Sequence, residues 1–268
     1  MMSNRALITR IFYLFALVAM GKMYLHQMFP HQLQSPVLVN PMADNTYWMF
    51  YILNIPQFLL ANHMAAIIFE CALVLSAVFS FINPKNVFFS RIFFILFSCF
   101  FITSNTFHGH GWIALLVTAA LFCIKKDSSF VMCFYALRYY VIFVIFSASI
   151  WKLARGGVLI EGQMSEILKM QHLYQLAESP SSLYSHFIWL LIDSPFISQC
   201  IFVIACGTQF AFAIGFFTTK YDKALLCLFF LFFLGDWIFM GISFFEFYIF
   251  CLPLIHWPEI QHKYNLVT

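Results

Sequence analysis

Apolar runs of about twenty residues recur along this chain and leave few ways for it to fold. A helix needs about 20 such residues to cross the hydrocarbon of a bilayer. Eight runs qualify as candidate spans, of which the fourth and the eighth are short: 6–25, 63–82, 88–106, 111–124, 130–151, 196–217, 222–240 and 243–257. The pattern predicts an all-α protein, a polytopic bundle of about eight transmembrane helices.

The composition argues against a soluble domain of this length. Hydrophobic residues make up 63% of the 268 residues and charged residues only 9%, whereas soluble domains have about 45–50% and about 25%. We therefore interpret residues 1–268 as a single integral membrane domain surrounded by membrane lipids. The net charge of +3 comes from scattered Lys and Arg residues, so a nucleic-acid partner is not expected.

The chain carries no familiar catalytic or metal-binding motif. GxSxG, the P-loop, the Rossmann glycine fingerprint, HExxH and CxxC are all missing from the sequence. The eight cysteines lie in apolar stretches, which is typical of small buried side chains and not of a disulfide framework. Several enzyme classes are thereby disfavoured, but the sequence decides neither whether the protein is an enzyme nor which cofactor it uses.

Charge distribution predicts the orientation of the bundle. Lys and Arg accumulate in cytoplasmic loops of membrane proteins. If 47–61 is an interfacial or re-entrant segment and the N-terminus is cytoplasmic, nine of the basic residues face the cytoplasm and four face outward. Making 47–61 a full span would turn several basic loops outward. We therefore expect both termini in the cytoplasm, with a retained first helix in place of a cleaved signal peptide.

Two long external loops are expected, at residues 26–62 and 152–195. Within the second loop, 163–178 has the pattern of an amphipathic helix on the outer membrane surface. Ser179-Pro180 ends this helix, and Asp193-Ser194-Pro195 marks the start of the sixth span. The apolar residues of the 163–178 helix are predicted to lie mainly on one side: Met164, Ile167, Leu168, Leu173, Tyr174 and Ala177.

Ionisable side chains within or near the spans are the candidate functional residues, because a charge in lipid is costly. The predicted topology places most of them in the outer half of the membrane, where they could line a polar pocket roofed by 47–61 and 163–178. Such a pocket suits a lipid-soluble ligand with a polar head. The alternative is that each charge reaches the interface or forms a structural pair. The candidates are Lys22, His63, Glu70, His108, His110, Arg138, Lys152, Arg155, Asp236 and Glu246.

Lys152 is the first candidate, because it ends a long apolar helix. A lysine partly removed from water can act as a base or hold an anionic group. Asp236 and Glu246 are possible ion-pair partners for Lys152 or Arg155, or proton-handling carboxylates.

Arg138 and a histidine pair complete the set. Arg138 lies deepest in its span and could bind an anion, but a pair with a carboxylate on a neighbouring helix is favoured. His108 and His110 have no third ligand at a defined spacing, so a metal site is not predicted.

A ridge of small residues at Gly207, Ala211 and Gly215 runs along the sixth span. Small residues at this spacing let a second helix approach closely. The ridge could serve packing within the chain, or contact with a partner membrane protein or a second copy; the sequence does not separate these uses.

The segment YYVIFVIFSASIWKLARGGVLIEGQMSEIL, residues 139–168, resembles the HTTM family, the membrane domain related to vitamin K-dependent γ-carboxylase. The resemblance rests on the small-residue helix end 147–149, the Lys152-Leu153 step and Glu161-Gly162. It implies that Lys152 is the base that deprotonates a reduced quinone. DoxX-like quinone-linked membrane proteins are a weaker resemblance, and the chain contains no large external domain like that of the carboxylase. Together with the compact size, the resemblance suggests a bacterial inner membrane.

Two functions remain open. In the first, the protein binds or acts on a quinone-like or other lipid-soluble ligand. In the second, it is a non-catalytic subunit or scaffold of a larger envelope complex. Transport is less favoured, because no matching pair of broken helices is visible. Convergence of the ionisable residues on one cavity would favour the first function.

Overall fold

The computed structural model describes residues 4–33, 52, 54–108, 112–258 and 260, with the side chains of 105–108 excepted. Every regular element in these residues is helical. Ten α-helices follow in order: α1 Asn4–Leu25, α2 Ile55–Ala61, α3 His63–Ile82, α4 Val87–His108, α5 Ile113–Leu121, α6 Asp127–Ala154, α7 Gln163–Glu178, α8 Leu183–Ile192, α9 Pro195–Phe210 and α10 Asp222–Met240. Three 3₁₀ segments accompany them: Pro30–Gln32 after α1, Ala211–Phe216 after α9 and Phe245–Leu254 after α10.

Six helices of the described part are long and apolar enough to cross a membrane. They are α1, α3, α4, α6, α9 with the 3₁₀ segment that continues it, and α10. The prediction of an all-helical fold is thus confirmed for the described residues, and the six helices are compatible with the predicted membrane spans. The runs at 111–124 and 243–257 contain only shorter helices, of 9 and 10 residues, so the count of eight crossings stays a prediction.

Local signals set several helix ends. The Asn62 side chain accepts a hydrogen bond from the Ala65 amide and caps the start of α3. Pro195 opens α9 as predicted, although the Ser194 side chain makes no capping hydrogen bond. Gly241 adopts a positive φ of 64° and terminates α10, a conformation that costs glycine little.

The chain divides into two compact units. The first contains residues 1–135, 245–252 and 257–268, and the second contains 136–244 and 253–256.

In the first unit, aromatic rings fill the space between α1 and α4. The rings of Phe12 and Tyr13 lie 6.3 and 5.3 Å from that of Phe93, which stacks on Phe97 at 5.4 Å.

Basic residues tie together the ends of α1, α4 and α6 in the first unit. Arg5 donates hydrogen bonds to the Asp127 carboxylate at 2.5 Å and to the Lys125 carbonyl at 3.2 Å. Arg91 donates to the Cys123 carbonyl at 3.1 Å. These contacts use backbone carbonyls of the turn between α5 and α6, which would otherwise lack helical partners.

The second unit is built on α7, α8 and α9. Leu168, Ile188 and Phe202, one from each helix, are buried in a common apolar cluster. Helix α8 was not predicted within the external loop 152–195, although Ser182 gives it a standard start by accepting a hydrogen bond from the Ser185 amide. Ser165 and Ser198 are hydrogen-bonded at 2.9 Å and join α7 to α9.

Helix α7 has the predicted bounds, but its buried face differs from the predicted one. Leu173 and Tyr174 are 70% and 73% exposed. The buried face follows a four-residue spacing instead, at Met164, Leu168, His172 and Leu176. The prediction grouped residues by apolarity, whereas the structure turns a histidine inward because the ring has a hydrogen-bond partner there.

The small-residue ridge is divided between two environments. Gly215 is buried, and a Cβ added to it would lie 2.6 Å from the Ile142 Cδ1 atom and 2.9 Å from Leu225 Cδ1. A Cβ added to Gly207 would meet nothing within 4 Å. The chain changes to a 3₁₀ helix after Phe210, and its tighter turn rotates the later residue away from the earlier one.

This division predicts different outcomes for two alanine substitutions. Gly215→Ala should lower the free energy of unfolding by about 1–3 kcal/mol, because Ile142 and Leu225 must shift. Gly207→Ala, the matched control, should leave the free energy of unfolding unchanged or raise it by up to about 1 kcal/mol, because alanine favours a helix interior more than glycine does. Thermal unfolding of the two variants in one detergent measures the difference. Equal stability of both would contradict the close packing at Gly215.

Candidate functional site

A cavity of about 580 Å³ lies within the second unit, among α6, α7, α9 and α10. Its walls are almost entirely apolar. The polar side chains that reach it are those of Lys152, Thr208 and Asp236. Two of the candidates predicted from the sequence, Lys152 and Asp236, therefore line the same cavity.

Lys152 projects from the last turn of α6 toward α9. Its Nζ atom donates a hydrogen bond to Gln209 Oε1 at 2.8 Å. The rings of Phe202 and Phe232 lie 5.8 and 5.6 Å from the ammonium, within the range of cation–π attraction. An ammonium has three N–H donors, so the bond to Gln209 leaves donor capacity for a molecule in the cavity.

Asp236 supplies the negative charge of this cavity, from the last turns of α10. It is close enough to Lys152 for the two charges to attract each other. The hydrogen-bond partner of Lys152 is nevertheless the Gln209 amide and not a carboxylate. A ligand head group could therefore meet a cationic donor and an anionic acceptor in one apolar cavity.

Arg138 forms a second charged contact in this unit. It donates to both carboxylate oxygens of Asp222, at 2.8 and 2.5 Å, and to the carbonyls of Gly215 and Thr218 at 3.0 Å each. The guanidinium is thereby engaged on all three nitrogens, and its side chain is only 2% exposed. This geometry is that of a structural pair between neighbouring helices, the alternative that the sequence favoured.

The two charged contacts have the same spacing along two helices. Lys152 follows Arg138 by 14 residues in α6, and Asp236 follows Asp222 by 14 residues in α10. At about 1.5 Å per residue, each interval spans about 21 Å. The two helices run in the same direction, and the Arg138 contact fixes their relative register at the end away from the cavity.

Two carboxylates of the predicted set belong to the first unit. Glu70 is buried in α3 and accepts hydrogen bonds from the backbone amide of His31 at 2.9 Å and from its ring Nδ1 at 2.5 Å. Glu246 is also buried and interacts electrostatically with Lys22. Each carboxylate therefore has a basic neighbour within its own unit.

The remaining candidates lie elsewhere. Arg155 is exposed and stacks its guanidinium 4.4 Å from the Trp151 ring centroid, so it does not line the cavity. The His108 side chain, His110 and residues 47–51 and 53 of the segment 47–61 fall outside the described residues. Among those that are described, no three His, Cys, Asp or Glu side chains gather as a metal site would require.

Hydrogen bonds fix the C-terminal end of α10 beside the cavity. The His172 ring donates to the Phe239 carbonyl at 2.8 Å, and the Tyr184 hydroxyl donates to the Ile238 carbonyl at 3.2 Å. Both carbonyls are near the end of α10, where helical partners run out. Since Phe239 and Met240 line the cavity, these bonds hold its wall in place.

Sequence analysis missed Gln209 and Asp222. A glutamine in the middle of an apolar span was a usable signal, because a buried amide requires a partner. Asp222 stands at a helix start next to basic residues. The same pattern is typical of a helix end that lies in solvent, so it does not indicate a buried ion pair. The pairing of Asp222 with a residue 84 positions away has no local signal.

No protein-family model matches the chain, and no curated protein or solved structure matches it. The chemistry of the site therefore rests on its own geometry. That geometry provides a cationic donor, a carboxylate and a hydroxyl in an apolar enclosure. It can orient a molecule that has an apolar body and one polar end.

Proposed function

We propose that the second unit binds a lipid-soluble ligand with a polar head in the cavity that Lys152 and Asp236 line. The observation that carries this proposal is the Lys152 ammonium, which is held by Gln209 at 2.8 Å beside an apolar cavity of about 580 Å³. Small-molecule sites have volumes of about 300–1,000 Å³, mostly apolar walls and a few polar groups that fix orientation. The cavity fits this description.

A quinone-like head group has the complementary chemistry. A carbonyl oxygen of the quinone can accept a hydrogen bond from Lys152, and a hydroxyl of the quinol can donate one to Asp236. The resemblance of 139–168 to the HTTM family points to the same ligand class, with Lys152 as base. In that role, a neutral Lys152 would accept a hydroxyl proton, and the ammonium so formed would stay hydrogen-bonded to Gln209.

We further propose that both termini lie in the cytoplasm of a bacterial inner membrane. In the first unit, Arg5 and Arg91 contact the turn between α5 and α6, beside Lys125 and Lys126. This accumulation of basic residues supports a cytoplasmic location for that end of the unit. In the second unit, Lys220 and Lys223 lie near the start of α10, and Lys152 and Asp236 lie toward the other end.

A non-catalytic membrane subunit is the second candidate. The observation that favours it is the outward face of α9, where Phe196 and Val203 are 80% and 45% exposed and Gly207 leaves room for a close neighbour. Such a face suits a helix of a partner protein or of a second copy. It equally suits lipid, so it carries less weight than a cavity that contains charged groups.

A cavity-filling variant tests the first proposal. Ala205 lines the cavity, whereas Val203, two residues before it in α9, is exposed and does not line the cavity. The full chain in detergent should show a saturable rise in Tm on titration with a short-chain benzoquinone, because a ligand of the folded state stabilises it. Ala205→Trp should abolish this rise, and the matched control Val203→Trp should retain it.

The same titration with a long-chain fatty acid separates ligand classes. A Tm rise with the fatty acid alone would reject the quinone-like head group but retain the cavity as a lipid-binding site. If neither probe raises Tm in the wild type, or if both variants respond like it, the cavity is not a ligand site. The subunit function would then become the better explanation.

A further inference from the structure

The first unit contains a different cavity, of about 510 Å³, at the end where basic residues accumulate. It lies between the beginning of α1 and the turn that joins α3 to α4. Arg10 reaches it from α1, and Lys85 and the amide side chains of Asn83 and Asn86 reach it from the turn. Among the residues that the structure describes, no Asp or Glu lines this cavity.

The turn that forms one wall is fixed by its own hydrogen bonds. The Asn86 amide donates to the Asn83 carbonyl at 3.0 Å, and the Asn83 amide donates to the Phe79 carbonyl at 2.9 Å. The Asn86 side chain accepts from the Phe88 amide at 3.0 Å and so caps the start of α4. The cationic and amide groups are therefore presented on a defined backbone.

The electrostatic surroundings favour an anion. Arg5 and Arg91 lie at the same end of this unit, and Arg5 is paired with Asp127. The start of α4 adds the positive end of a helix dipole to the charges of Arg10 and Lys85. Lys and Arg match the charge of phosphate, and Arg can also donate to two of its oxygens.

Apolar side chains border the cavity on the membrane side. Ile82 lines the cavity and is 55% exposed, and Leu7, next to the lining residue Ala6 in the sequence, is 41% exposed. Basic pockets between transmembrane helices bind anionic lipid head groups, with the charged groups on the phosphate and apolar surface along the acyl chains. A free phosphate ester would use only the polar half of this arrangement.

We infer that the cavity between Arg10 and Lys85 binds a phosphate ester, supplied by the head group of an anionic phospholipid. The site is independent of the ligand cavity of the second unit, and neither proposal depends on the other. Arg10 and Lys85 carry the charge recognition, and Asn83 and Asn86 offer amide donors to the remaining phosphate oxygens.

The test uses the full chain in detergent and counts bound lipid by native mass spectrometry. Phosphatidylglycerol is titrated against phosphatidylcholine, and glycerol 3-phosphate is titrated separately. The variants are Lys85→Gln, which changes an exposed side chain, and the double variant R10Q/K85Q. The matched control is K125Q/K126Q, which removes the same charge from exposed positions of the same unit that do not line the cavity.

We expect phosphatidylglycerol to bind more tightly than phosphatidylcholine. The affinity should fall about 5-fold in Lys85→Gln, because each basic residue near a membrane surface strengthens binding by about that factor. In the double variant the two losses multiply, and the affinity should fall about 30-fold. The control should bind like the wild type. Equal losses in the control and in R10Q/K85Q would overturn the site in favour of diffuse surface charge, as would unchanged binding by Lys85→Gln.

The glycerol 3-phosphate titration identifies the source of the phosphate. Weak or undetectable binding, with tight binding of phosphatidylglycerol, supports a lipid head group. Binding of glycerol 3-phosphate as tight as that of the lipid, and sensitive to Lys85→Gln, would retain the phosphate site and overturn the lipid assignment.

Discussion

Replacing Arg138 with methionine is expected to lower the free energy of unfolding by about 3–5 kcal/mol, the loss typical of removing one partner from a buried ion pair. Arg138 is 2% exposed, and its partner Asp222 is 15% exposed. Without the guanidinium, the carboxylate loses two charge-assisted hydrogen bonds, and the carbonyls of Gly215 and Thr218 lose their donor. Tm and denaturant unfolding in one detergent measure the loss.

The matched control is Arg155, the other arginine of the second unit. Arg155→Met also removes one guanidinium, but from an exposed side chain stacked on Trp151. It should change stability by less than about 0.5 kcal/mol. The double variant R138M/D222N should recover part of the loss, because it no longer leaves a buried charge unpaired. Equal losses at Arg138 and Arg155, or no recovery in the double variant, would contradict the structural role of the pair.

The Arg138 contact shows what sequence patterns predict and what they omit. A charge deep in an apolar run predicts that a compensating group is buried nearby. It does not identify that group, because Asp222 lies on another helix and resembles an ordinary helix start. The 14-residue spacing shared by α6 and α10 becomes meaningful only after the register of the two helices is known.

Helices with strong local signals were predicted well. The apolar runs located the six membrane-length helices, and 163–178 has the predicted bounds. Local signals were insufficient where packing decides the structure. Helix α8 is a ten-residue apolar segment that could have been loop, helix or partial span, and the 3₁₀ segment after Phe210 has no distinct sequence pattern.

The sequence predicted the charged residues of the candidate site but not the hydrogen-bond partner of Lys152. Lys152 and Asp236 stand out as ionisable residues near helix ends, and they line one cavity. The expected ion-pair partners of Lys152 were carboxylates, whereas the structure gives Gln209. An amide carries no charge signal, yet it anchors the ammonium without neutralising it and so preserves a cation for a ligand head.

This difference leads to the second large prediction, which concerns Lys152 and the ligand head. Lys152→Met keeps a long apolar side chain but removes the ammonium. Affinity for a short-chain benzoquinone, measured by the saturable Tm rise, should fall about 10- to 100-fold, since a hydrogen bond to a charged group contributes about 1.5–3 kcal/mol. Lys169→Met is the matched control, because Lys169 is exposed on α7 and contacts only Glu166 among the hydrogen bonds described.

Asp236→Asn separates recognition by the carboxylate from recognition by the ammonium at the same cavity. Asparagine still accepts a hydrogen bond through its carbonyl oxygen but lacks the charge that attracts Lys152. A benzoquinone has no hydroxyl to donate to residue 236, so this variant should retain benzoquinone affinity within about 10-fold, whereas Lys152→Met should not. If Lys152→Met binds the probe as tightly as Lys169→Met, the ammonium does not recognise the head group. The cavity would then hold apolar chains without regard to their polar end, and a base at Lys152 would have no substrate to deprotonate.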